Sequence, residues 1–304
     1  MFCHVQKRTV MKGLGLSVFL PALVFGSLCL IWGATPVAVR LGLRFFPPFF
    51  FGGIRVLIAW GLVTAYALAT RTEFPRDGAT WRIMLFLGLS QTALPYALVY
   101  WAQQYVTAGL TTVLLATTPF FVMAFAHFLT PDERVNRWNL LGMLLSFIGV
   151  TILFLRSELS ANQNSYLGGF ALIGGSGITG WGMVIGKKYS TTINTTANIT
   201  VQMGVGALIL TTAGILFERG IPSNLNLESA TAIIFLALMS SALGYAAMYW
   251  LFRRMDATRF SLNAFATPVV AIALAWLILG EKVDPNVVAG GSLILLGLLM
   301  NKTT

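Results

Sequence analysis

Charge is what this chain has least of. Only 10% of its 304 residues are Asp, Glu, Lys or Arg, against about a quarter in a typical soluble domain. Acids are the scarcer sign, ten against twenty basic residues. Asp132, Glu133, Asp256, Glu281 and Asp284 all fall at expected turns, so no carboxylate is expected in a hydrocarbon core to take up a proton there. Histidine is nearly missing too. His4 lies in the first few residues, and His127 falls near the end of an apolar run, where a packed, neutral ring is the favoured reading. With Cys3 and Cys29 as the two cysteines, no disulfide framework, metal-ligand cluster or activated nucleophile is expected. The composition therefore argues against an enzyme and against a resident metal or cofactor.

What fills the chain instead is apolar. Hydrophobic residues make up 57% and the mean hydropathy is +0.78. Runs near the 20 residues that cross a bilayer as helix fall at 15–37, 48–69, 82–103, 107–129, 138–155, 166–186, 198–217, 229–251, 258–279 and 286–301. Ten spans are expected, and they must be helices, because a barrel would show alternating segments of about ten residues. Lys7, Arg8 and Lys12 before the first run resemble a signal peptide, but the run is too long and lacks a small-residue cleavage site. An uncleaved first span is expected.

The net charge of +10 does not form a basic stripe with interleaved aromatics, so no nucleic-acid partner is expected. It reads as a topology signal. With a cytoplasmic N-terminus the inner side receives fourteen basic residues, among them Lys7, Arg71, Arg82, Lys187, Arg253 and Lys302. The outer side receives five: Arg40, Arg44, Arg156, Arg219 and Lys282. The positive-inside rule then places both termini in the cytoplasm.

The second half repeats the first at an offset of about 149 residues. Leu94–Trp101 read LPYALVYW and Leu243–Trp250 read LGYAAMYW; Trp32-Gly33 recurs as Trp181-Gly182, and Thr118-Pro119 as Thr267-Pro268. At one residue less, Gly142 and Gly149 recur as Gly290 and Gly297. Five spans per copy is an odd number, so the second copy must enter the membrane from the opposite face. Two inverted five-helix repeats are expected, 1–156 and 157–304, divided within the polar segment Arg156–Tyr166.

Helix breaks occur at matching places. Pro95 has Gly244 as its counterpart, and Pro119 has Pro268. These four are candidate hinges, and the carbonyls of Leu115 and Ala264, four residues before each later Pro, are expected to lose their helical donors. Interrupted helices at corresponding points are a pointer to a midplane binding site. Tyr96, Tyr100 and Gln103 share one helical face by their i, i+4, i+7 spacing, and Tyr245 and Tyr249 repeat the first two. Trp32 and Trp181 offer π-faces, while Gln91, Thr118 and Asn263 offer hydrogen bonds. Interfacial anchoring competes with this for Trp101 and Trp250. Arg55 stands well inside a span, where a charge is a candidate partner for a substrate carboxylate; lying seven residues from Pro48, it is also placed to snorkel outward over roughly 10 Å of helix rise. Gly182 and Gly186 have GxxxG spacing, and Gly142 with Ser146 forms a small-xxx-small pair, both suited to close helix approach.

The order of these features resembles the EamA-type branch of the drug/metabolite transporter superfamily: an early Trp-Gly, the Arg55-Val-Leu-Ile-Ala opening of span 2, a Tyr-rich span 3, a Pro in span 4 and a Glu at the following turn, Glu133 and Glu281 in the two copies. The similarity covers about residues 15–301. It implies ten helices in two inverted repeats, a central cavity, and export of amino acids, related metabolites or drugs; it also suggests a structural role for Arg55. The expected protein is thus an inner-membrane secondary transporter exporting small amphipathic metabolites, with amino acids the leading class and facilitated diffusion or exchange favoured over proton antiport. Uptake or exchange of another metabolite, drug efflux, and a non-transporting membrane receptor or enzyme are the alternatives. The expected partners are a small-molecule substrate and the lipid bilayer, with a homodimer left open.

Overall fold

The computed structural model describes residues 2–106, 111, 114–130, 137–154, 163–270 and 285–300. Among these residues every regular element is a helix and none is a strand. In chain order the helices are α1 (Phe2–Gly42), α2 (Pro48–Ala69), α3 (Gly78–Gly88), α4 (Leu94–Ala102), α5 (Thr118–Leu129), α6 (Arg137–Phe154), α7 (Gln163–Lys188), α8 (Thr195–Phe217), α9 (Leu227–Phe235), α10 (Gly244–Phe252), α11 (Ala257–Ser261) and α12 (Pro285–Met300). Residues 263–270 are helical as well. A π-helical stretch, Leu89–Ala93, joins α3 to α4, and a second, Leu236–Leu243, joins α9 to α10.

Among the described residues six segments are long and apolar enough to cross a membrane: Phe19–Gly42, Pro48–Ala69, Gly78–Ala102, Tyr166–Lys188, Thr195–Phe217 and Leu227–Phe252. Their bounds fall within about five residues of the apolar runs. The remaining expected spans, 107–129, 138–155, 258–279 and 286–301, reach into residues outside the described set, as do the 156–166 boundary and the turns at Glu133 and Glu281.

Helix starts follow local chemistry. Pro48 opens α2, where its missing N–H costs nothing. Asp77 caps α3 by accepting from Thr80 N at 2.7 Å, and that bond holds its carboxyl below the ordinary carboxylate range. Asn194 caps α8 through Thr196 N and Ala197 N, and Asn226 with Ser229 forms a capping box on α9.

Large apolar side chains stand on the surface while several polar ones lie inside. Leu68, Phe170, Leu208, Phe217 and Leu227 are each at least 70% exposed, while Arg55, Gln91, Asn198, Gln202, Ser240 and Asn263 are buried. In water such a surface would drive association; in lipid it is the ordinary contact with the acyl chains. The chain is a multi-pass membrane protein.

Small residues bring the helices together. Gly53 faces the backbone of Thr211, and Gly214 faces that of Phe50, which closes α2 onto α8. Gly149 meets the Gly290 carbonyl and Gly297 meets the Gly142 carbonyl, so α6 and α12 cross through reciprocal glycine contacts. Gly182 lies against Ser90 and Gln91, and Gly186 against Tyr249 and Phe252.

Candidate functional site

The helix breaks converge on one cavity of about 220 Å³, roughly seven waters' share of liquid volume. The wall of α1 is Trp32, Thr35, Pro36 and Val39; α2 contributes Arg55, and the first π stretch Gln91. From α4 come Pro95, Tyr96, Val99 and Tyr100, with Gln103 just beyond it. Leu115 and Thr118 flank the start of α5; Gly175, Thr179 and Met183 come from α7. The opposite side is Ser240, Tyr245, Met248, Asn263, Ala264 and Thr267. None of these residues is acidic.

Both π stretches leave one carbonyl passed over beside the cavity. Pro95 has no N–H to give the Gln91 carbonyl, and the Tyr245 hydroxyl donates to that carbonyl instead. At the matching place the Gly244 N–H bonds the Met239 and Ser241 carbonyls, and Trp32 Nε1 donates to the passed-over Ser240 carbonyl at 3.2 Å. Gln91 and Ser240 stand 149 residues apart, in the register of the repeat. Each break is thus closed by an aromatic side chain from the other half of the chain.

Arg55 is the charged member of the wall. Its side chain is only 2% exposed and does not snorkel. Its Nε donates to Ser241 Oγ at 3.1 Å, Nη1 to the Tyr100 hydroxyl at 2.7 Å, and Nη2 to the Tyr96 hydroxyl and Ser240 Oγ at 3.2 Å each. Its Cζ lies 4.6 Å from the Tyr96 ring centroid. All four partners are neutral hydroxyls, and no carboxylate among the described residues pairs with it. A guanidinium on the inner wall beats snorkelling because four acceptors from α4 and the second π stretch replace the water it would reach.

Other residues depart from the pattern of their sequence. Trp181 turns outward, 45% exposed, edge-on to Phe86 at 4.9 Å and stacked with Phe125 at 6.1 Å. Tyr249 is buried behind the cavity, where Gln202 Nε2 donates to its hydroxyl at 2.6 Å. Trp101 and Trp250 end α4 and α10 away from the cavity, Trp250 under the Arg254 guanidinium at 3.6 Å. Pro119 does not kink a continuing span. Ala116 and Thr117 form a turn and Pro119 sits in the first turn of α5, the place where a missing N–H is tolerated. The Leu115 carbonyl is not bare, since Thr118 Oγ1 donates to it at 2.7 Å. Pro268 lies inside helical residues 263–270, and the break precedes it at Leu262. His127 is exposed on α5 rather than packed.

The wall also holds residues that pattern reading passed over. Thr35, Pro36 and Val39 follow Trp32 at i+3, i+4 and i+7, a spacing that places them on one helical face. Met183 and Met248 carry no local signal, because an apolar side chain at a cavity looks in sequence like any other core residue.

Two stretches of the chain, residues 20–155 and 166–303, each match the EamA-like transporter family. YoaV of Bacillus subtilis strain 168, an uncharacterized transporter, is 24% identical over 278 residues, 91% of this chain and 95% of YoaV. YedA of Escherichia coli K12, an uncharacterized inner membrane transporter, is 27% identical over 85% of this chain and 82% of its own. A probable amino-acid metabolite efflux pump of Salmonella typhimurium strain LT2 is 28% identical over 89% of this chain and 91% of its own. A solved crystal structure superposes with a TM-score of 0.79 at 17% identity, covering 92% of this chain and 95% of that one; at that identity the likeness concerns the fold.

Proposed function

The chain belongs to the EamA-like transporter family, and from that premise we propose that it exports small amphipathic metabolites, amino acids foremost, by alternating access around the cavity. The carrying observation is the cavity itself: aromatic and apolar walls, one buried cation, and two interrupted helices at positions 149 residues apart. The relative from Salmonella named for amino-acid metabolite efflux favours the same substrate class. Residues 1–156 and 157–304 are proposed as the inverted repeats of a ten-helix inner-membrane protein with both termini cytoplasmic. The reciprocal glycine contacts of α6 and α12 support a two-fold relation of this kind.

The proposed substrate contacts are Trp32, Arg55, Gln91, Tyr96, Tyr100, Thr118, Tyr245 and Asn263, and the proposed hinges lie at Pro95 and Gly244. Trp32 and Tyr245 hold the present arrangement through the Ser240 and Gln91 carbonyls. The opposite-facing state would release them and engage their counterparts, Trp181 and Tyr96. With no Asp, Glu or His on the described wall, facilitated diffusion or exchange is the proposed mode.

Counterflow in proteoliposomes tests this. Vesicles loaded with a mixed pool of amino acids should accumulate a labelled member of the panel from outside, with or without a pH gradient. Folded protein that exchanges no amino acid would overturn the leading class. Exchange that requires the gradient would overturn the facilitator mode.

A further inference from the structure

The Arg55 cluster has a counterpart in the second half of the chain. Arg55 is the eighth residue of α2 and Gln202 the eighth of α8. Arg55 donates to the Tyr100 hydroxyl at 2.7 Å, and Gln202 donates to the Tyr249 hydroxyl at 2.6 Å; the two tyrosines are themselves 149 residues apart. Tying this helix to this tyrosine therefore needs a donor but not a charge. The neutral amide does that work in the second half, behind the cavity. In the first half the donor is a guanidinium on the cavity wall.

A buried cation held only by neutral groups is normally completed by an anion. Four of the five guanidinium N–H groups are used, leaving one on Nη1. The Tyr100 hydroxyl accepts from Arg55 and keeps its own proton to give, while the Tyr96 hydroxyl accepts from Arg55 and also meets the Tyr245 hydroxyl, so one wall presents polarised hydroxyls. Asn263 Nδ2 is a further buried donor on the wall with no hydrogen-bond partner in the structure. Gln103 Oε1 is an acceptor in the same condition, but it is neutral. The electrostatics of the described wall are thus one-sided: a place for a carboxylate and no opposite charge for an ammonium.

We infer that the cavity takes amphipathic monocarboxylates, with the carboxylate docked on Arg55, Tyr96 and Tyr100 and the apolar body against Trp32, Val39, Val99 and Met248, and that a free ammonium group is dispensable. This rests on the transport reading above and narrows its substrate class. N-acylated or deaminated relatives of an amino acid should bind at least as well as the zwitterion, whereas an amidated, cationic relative should not bind.

Four solutes with one side chain separate the charges: phenylalanine, N-acetylphenylalanine, 3-phenylpropionate and phenylalanine amide. With the full chain in detergent, thermal stabilisation is measured against the concentration of each. The two anions are expected to stabilise it and the amide to leave the midpoint unchanged. Arg55→Gln should weaken anion binding about tenfold or more, the loss expected for charge-assisted hydrogen bonds, and Arg55→Lys should retain part of it. Stabilisation by the amide equal to that by the anions, no stabilisation by either anion, or unchanged anion affinity in a folded Arg55→Gln would each overturn the inference. Should both variants fail to fold, the panel on the unaltered chain decides. Counterflow with the same panel keeps the two readings apart: exchange of the amide but not the anions sinks the anion site and spares transport, whereas anion binding without exchange of any solute sinks transport and spares the site.

Discussion

Glu218 accepts from Phe49 N at 2.9 Å and Phe50 N at 2.7 Å, so a carboxylate that follows α8 caps the helix that delivers Arg55. Its two oxygens serve two of the N–H groups that every helix start leaves open, and a negative charge suits that end of the dipole. Glu218→Ala should cost about 1–2 kcal/mol, read as a lower thermal midpoint in detergent, while Glu218→Gln should lose less because one oxygen remains. Equal midpoints for all three proteins would show that α2 starts without it. Cap and helix are distant in sequence, so nothing local announced this bond. Arg55 shows the complementary case. Its place inside a span was legible from charge scarcity alone, but whether the head snorkels depended on whether acceptors waited inside, and those come from two other segments, α4 and the second π stretch.

Helix breaks were legible at this next scale because Pro and Gly act on their own backbone. Pro95 and Gly244 each follow a π stretch, as residues that loosen the ladder should. What the breaks do was not legible, since the groups that use the passed-over carbonyls, Tyr245 and Trp32, lie 154 and 208 residues away. One neutral hydrogen bond contributes about 0.5–1.5 kcal/mol, a bias of about twofold to thirteenfold between two conformations. Trp32→Phe, which keeps a smaller aromatic ring and removes the donor, should therefore change the exchange rate severalfold at unchanged protein yield; an unaltered rate would deny the bond any part in the cycle. Gly182→Leu acts on packing instead. A Cβ there meets Ser90 Oγ at 2.5 Å and Gln91 Nε2 at 2.8 Å, so the folded fraction in size-exclusion profiles should fall. Normal yield with lost exchange would mark that contact as moving rather than static.

Distant parts of the chain meet at both ends of α8. Arg44 pairs with Glu228 at 3.5 Å and Asn224 N donates to the Phe45 carbonyl at 2.9 Å, beyond the last turn of α8. At its first turn Arg253 donates to the Ser190 carbonyl and to Thr195 Oγ1, both at 2.8 Å. The charge bias assigns the first group to the outer side and the second to the inner. In a chain with Cys3 and Cys29 replaced, Glu73→Cys should react with an impermeant maleimide only from the cytoplasmic face, and Ser223→Cys only from the other. Labelling of both from one face would refute the proposed topology.

The sequence by itself determined the solvent, the helical class, the duplication and the two breaks at Pro95 and Gly244, whereas Pro119 and Pro268 misplaced theirs. Each is a property of composition or of near neighbours along the chain, and lipid forces the backbone to satisfy itself within each helix. It also singled out Tyr96, Tyr100 and Gln103, because one helical face is a local quantity. Only the tertiary structure decided that Trp181 faces outward, that Tyr249 is tied to Gln202 behind the cavity, and that Arg55 turns inward. In lipid an aromatic ring or a hydroxyl is tolerated on either side of a helix, so the residue alone does not choose. The choice is made by partners from other helices, and these meet only once the two halves have packed.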